Sequence, residues 1–183
     1  MTSLFNLKRI AIVAIVGALM AISANAQWNT SGTTTVSVTV AAEAAIQVTT
    51  ATTTLTNVGT IFNAYTGTTN FNYKIRTTKT GGTGTLTLEV TSDFSPANGP
   101  SVATPPTAGD ALSYTCTVAA PATACSGSLN SSTTVATSVA TFGANAHSAN
   151  AGNAGSVAWS LSDDPTYQTG AYSATVTLTI SAT

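Results

Sequence analysis

Apolar and polar side chains alternate almost without interruption from Thr34 to Thr49. Val36, Val38, Val40, Ala42, Ala44, Ile46 and Val48 fall on one face, and Thr35, Ser37, Thr39, Glu43, Gln47 and Thr49 on the other. A period of two marks a half-buried strand, because successive side chains of an extended chain point to opposite faces. At about 3.3 Å per residue the run would reach on the order of 50 Å, against roughly 20 Å for an ordinary strand. Either the run bends between two sheets or part of it lies outside its own domain.

The other end of the chain repeats the pattern. Tyr172, Ala174, Val176, Leu178, Ile180 and Ala182 alternate with Ser173, Thr175, Thr177, Thr179 and Ser181. Between the two, Gly, Pro, Asn and Ser punctuation predicts strands near 53–63, 70–79, 84–91, 111–119, 132–141 and 155–162, with the last strand at 171–182. No segment carries apolar residues at helical spacing for three turns. Ser92 to Asp110 holds Pro96, Pro100, Pro105 and Pro106 with Gly99 and Gly109, which deny a ladder its donors, so it reads as a loop. The small, polar stretch from Gly143 to Gly155 reads as a second one. Short strands without intervening helices predict an all-β fold, an antiparallel β-sandwich with a long N-terminal strand.

Composition changes the picture at the amino terminus. Lys8 and Arg9 precede thirteen apolar residues, Ile10 to Ile22, and Ala24-Asn25-Ala26 follows. The apolar stretch is shorter than the roughly 20 residues that a spanning helix needs. Its order of positive, apolar and small residues is that of a secretory signal, with the mature chain starting at Gln27. The predicted organisation is a signal peptide at 1–26, an N-terminal extension and candidate donor strand at 27–48, and a β-sandwich domain at 49–183. Removal of the leader leaves 157 residues (183 minus 26), which suits one domain. Those residues carry Lys74, Arg76 and Lys79 against Glu43, Glu89, Asp93, Asp110, Asp163 and Asp164. Such a surface has no basic footprint for nucleic acid or anionic lipid, and no stable membrane insertion is expected after cleavage. Thr, Ser and Asn supply the polar surface instead, and Thr also favours strands.

Little in the chain can carry chemistry. Cys116 and Cys125, in an exported chain with eight residues between them, read as a disulfide. They lack the CxxC spacing and flanking cations of a redox pair. His147 is the sole histidine, so a zinc site lacks ligands, and no GxSxG, phosphate-loop or dinucleotide fingerprint occurs. The carboxylates offer no evident pair for glycoside cleavage, and Asp163-Asp164-Pro165 reads as a turn before proline rather than a calcium site. No catalytic residue, metal ligand or cofactor is expected. Trp159, at strand spacing from Val157, is expected in the core. Trp28 is a candidate anchor in a neighbour's groove, with capping of its own sandwich as the alternative. Asn29-Thr-Ser31 and Asn130-Ser-Ser132 match glycosylation acceptors, which carry no information in a bacterial host.

An overlong alternating strand behind a short leader is what strand donation requires, with Val36, Val38, Val40, Ala42, Ala44 and Ile46 as the donated side chains. Subunits sharing strands in this way form open filaments, because the contact is head-to-tail. Val36-Ser-Val-Thr-Val-Ala-Ala42, Leu55-Thr-Asn-Val-Gly-Thr-Ile-Phe62 and Pro165-Thr-Tyr-Gln-Thr-Gly170-Ala-Tyr-Ser-Ala-Thr-Val-Thr-Leu-Thr-Ile180 resemble the spore coat protein U family of secreted bacterial pilins. The resemblance covers the two ends of the chain. It implies an immunoglobulin-like pilin sandwich. Members of that family are similar to one another in a cysteine shortly after the first strand, where this chain has Ala44-Ala45, and this leaves open whether a periplasmic chaperone and an outer-membrane usher handle this chain or whether it polymerises by another route.

The functional expectation is therefore a structural subunit of an extracellular pilus or fimbria, exported through the periplasm to the cell surface. Its expected partners are identical subunits. The alternative is a monomeric secreted carbohydrate-binding or adhesin domain, which needs exposed aromatics on one sheet face. Tyr65, Phe71, Tyr73 and Tyr114 are the candidates, with core packing as their competing role.

Overall fold

The computed structural model describes residues 30–57, 59 and 61–183. The predicted signal peptide and the candidate anchor Trp28 lie outside these residues. The chain divides into two units, Met1–Thr39 and Val40–Thr183. In the first, residues 30–39 form no regular structure and are exposed throughout.

Among its described residues the second unit is all-β, with ten strands in two antiparallel sheets. These are β1 (Glu43–Val48), β2 (Thr56–Asn57), β3 (Tyr65–Arg76), β4 (Gly84–Ser95), β5 (Leu112–Val118), β6 (Thr123–Ala124), β7 (Leu129–Asn130), β8 (Thr137–Phe142), β9 (Asn153–Leu161) and β10 (Ser173–Ala182). One sheet runs β1-β3-β9-β5-β7, with β2 also paired to β3; the other runs β10-β4-β8-β6. The predicted strand at 53–63 shrinks to the two residues of β2, while β3 starts earlier than expected, at Tyr65. β4 also runs on to Ser95 before the proline-rich loop begins.

Alternation builds the core. β3 turns Phe71, Tyr73 and Ile75 inward and Asn70, Lys74 and Arg76 outward, and β4 buries Leu86, Leu88 and Val90. Tyr73 and Phe142 bridge the sheets with ring centroids 5.3 Å apart, and Tyr114 packs on its ladder partner Trp159 at 5.7 Å. Their polar atoms are satisfied. Tyr73 donates to the Ala119 carbonyl at 2.6 Å, Tyr114 to that of Ser138 at 2.8 Å, and the Trp159 indole to Thr69 Oγ1 at 2.8 Å. Buried aromatics carry large apolar area only when such polar tips find partners. Gly155 is required where Phe71 crosses it, since a Cβ there would lie 2.4 Å from the ring. Cys116 and Cys125 form the expected disulfide, which ties β5 to the residue after β6.

Candidate assembly interface

A sandwich has two lateral edges, and here they differ. On one side the sheets end in β7 and β6, two residues each, beside the Cys116–Cys125 bridge. Short, tied edge strands give another chain little to pair with. On the other side they end in β1 and β10, of six and ten residues, which lie against one another across the sandwich. Each pairs on one side only, β1 with β3 and β10 with β4.

Burial along that second edge is incomplete. In register, Val176, Leu178 and Ile180 of β10 lie opposite Val90, Leu88 and Leu86 of β4. The β4 residues are 1%, 0% and 0% exposed, whereas their β10 partners are all half-buried. The same step appears on β1, where Ala44 and Ile46 are half-buried opposite the buried Ile75 and Tyr73. An apolar seam shared by both terminal strands therefore keeps partial contact with water. Apolar area left exposed forfeits about 25 cal/mol per Å² of burial, so a covering strand would be stabilising.

The long alternating run divides at the start of β1. Ala44 and Ile46 are seated in the sheet of their own domain, and Ala42 just before them is half-buried. Val36, Val38 and Val40 are 92%, 85% and 61% exposed and belong to no strand. The junction is pinned by Arg76, whose Nε donates to the Ala41 carbonyl at 2.8 Å while Nη2 meets Glu43 Oε2 at 3.1 Å. Sequence alone missed this role of Arg76. The alternation put Glu43 on the polar face, but only the register Glu43↔Arg76 brings the pair together.

The remaining candidates are accounted for within the fold. Phe71, Tyr73 and Tyr114 are buried, and Tyr65 is half-buried, its phenol pushed up by burial and then by a hydrogen bond to Asp163. None of the four stands on an exposed sheet face. His147 is exposed, with Nδ1 2.9 Å from the Asn145 carbonyl. Among the described residues, no group of three or more His, Cys, Asp or Glu side chains is placed to hold a metal. Asp163 accepts from Asn57 Nδ2 at 2.9 Å, and Asp164 accepts from the Thr166 amide at 2.8 Å, as a turn before proline does. The Thr107 hydroxyl first, and then that amide, pull the Asp164 carboxyl down to about 2. Hollows open on the surface among the described residues. One of about 290 Å³ lies over Thr66, Thr68, Ser113 and Ser160, and one of about 480 Å³ lies beside Ala41, Arg76, Lys79 and His147.

Compared with family models, curated proteins and solved structures, the chain matches none.

Proposed function

We propose that this protein is the repeating subunit of an extracellular filament, in which residues 34–40 of one copy complete the β1–β10 edge of the next. The observation that carries the reading is a complementary pair of incomplete surfaces on one chain. Val36, Val38 and Val40 alternate with polar residues and are exposed, while the apolar face of β10 is incompletely buried. An added strand satisfies backbone groups of the open edge and seats alternate side chains in the seam, which is β-augmentation. Full burial of each valine contributes about 1.5–3 kcal/mol. The opposite edge ends in two-residue strands beside the disulfide and offers less to pair with, which favours head-to-tail growth. The likeness of both chain ends to spore coat protein U pilins supports the same reading.

The test is electron microscopy and size analysis of protein exported from cells expressing the full chain, beside Val36→Asp/Val38→Asp. The expected outcome is filaments from the parent and folded monomers from the variant. Identical assembly of the two would remove the donated strand from the account.

A further inference from the structure

The few charges are sorted by position. β3 ends at Arg76, and there Lys74, Arg76 and Lys79 gather, with His147 bridged to Arg76. These three are the only Lys and Arg side chains among the described residues, and Arg76 is paired with Glu43. The other end of the sandwich is marked by Tyr65, Leu161 and Leu112, which face one another across β3, β9 and β5. Asp163 and Asp164 follow β9 there, Asp110 precedes β5 and meets the Tyr167 hydroxyl at 3.1 Å, and Asp93 lies near the end of β4. Among the described residues no cation accompanies them. The sandwich thus has a basic pole and an acidic pole, and residues 40–42 leave from the basic one, held by Arg76.

Building on the strand-donation reading, we infer that successive copies meet pole to pole, the basic end of the donor against the acidic end of the acceptor, and that this contact sets the direction of the inserted strand. β10 runs from the acidic end, at Ser173, to the basic end, where Ala182 pairs with Gly84. A donated strand antiparallel to β10 runs the opposite way, so its root emerges at the acceptor's acidic end. Laid parallel, the root would emerge at the basic end and set cations against cations. Only Ala41 and Ala42 separate Val40 from Glu43, three residue steps or about 10 Å of extended chain. That matches the Debye length of about 10 Å at about 0.1 M salt, so at low ionic strength the poles remain in electrostatic reach of each other. Complementary rim charges act chiefly on association rate and on register.

Two charge-reversed variants test this. Lys74→Glu/Lys79→Glu makes both poles negative, and Asp110→Lys/Asp163→Lys/Asp164→Lys makes both positive, since Asp93 alone then remains at the acidic pole. Arg76 is left in place to hold the root. At low salt each variant alone is expected to assemble about tenfold or more slowly than the parent, and an equimolar mixture to recover by forming alternating copolymers. Added salt should narrow the difference for Lys74→Glu/Lys79→Glu, an outcome that stands even where the aspartate variant does not fold. Parent-like assembly of the folded variants, independent of salt, would overturn the pole contact and leave strand donation intact. Absence of filaments from the parent would instead remove the strand-donation reading itself.

Discussion

Asp93 organises the loop that follows β4. Its carboxylate accepts from the amides of Phe94 and Val102 at 2.8 Å, from that of Ala103 at 3.1 Å, and from the Ser101 hydroxyl at 2.6 Å. It thereby folds the start of the proline-rich loop back on the end of β4. Partial burial pulls its pKa up, but the four donors outweigh burial and hold the carboxyl below its ordinary value of 3.8. A depressed folded pKa contributes stability that is present above the unfolded value and lost as pH falls through the folded one. Acid melts of the parent should therefore lose stability below about pH 4, and Asp93→Asn should flatten that limb. Asp93→Ala leaves several donors unsatisfied and is expected to lower unfolding free energy by about 1–3 kcal/mol in urea titrations. Nothing in the sequence around Asp93 announces this role, because three of its four donors lie eight to ten residues on in a loop without a periodic pattern.

At the scale of elements, β4 and β10 carry the same alternating pattern but different burial, and mutation should separate them. Leu88→Ala, in the sealed centre, is expected to cost about 2–5 kcal/mol. Leu178→Ala, its ladder partner on the open edge, should cost the isolated subunit clearly less, yet weaken filaments. Chemical denaturation of monomers and of assembled material distinguishes the two effects. The strands themselves were legible from period two. The alternation of Tyr172 to Ala182 and the punctuation by Gly and Pro located most of them within a few residues, and the disulfide followed from two cysteines in an exported-looking chain. Edge position was not legible, because a half-buried edge strand and a central strand share one pattern until the pairing is known. The same limit applied to the run from Thr34 to Thr49, whose uniform alternation conceals the break between the free valines and β1. β3 begins earlier than expected because Gly67 weakens the strand pattern there, whereas pairing of Gly67, Thr68 and Thr69 with Trp159, Ala158 and Val157 extends the ladder through them.

For the molecule as a whole, one edge is closed and the other open, and the chain carries a segment whose exposed pattern suits the open one. Removal of the bridge by Cys116→Ser/Cys125→Ser should loosen the closed edge, at a cost somewhat under about 3 kcal/mol for so short a loop. Filaments of that variant should still form, since the bridge lies away from β1 and β10. The most direct measurement is disulfide trapping between copies, with Val38→Cys mixed in turn with Val176→Cys, Leu178→Cys or Ile180→Cys during assembly. The account predicts a covalent link between different copies for at least one pairing, lost when Val36→Asp is added to the donor. Filaments that form without any such link, across all three pairings, would contradict strand donation into the β1–β10 seam.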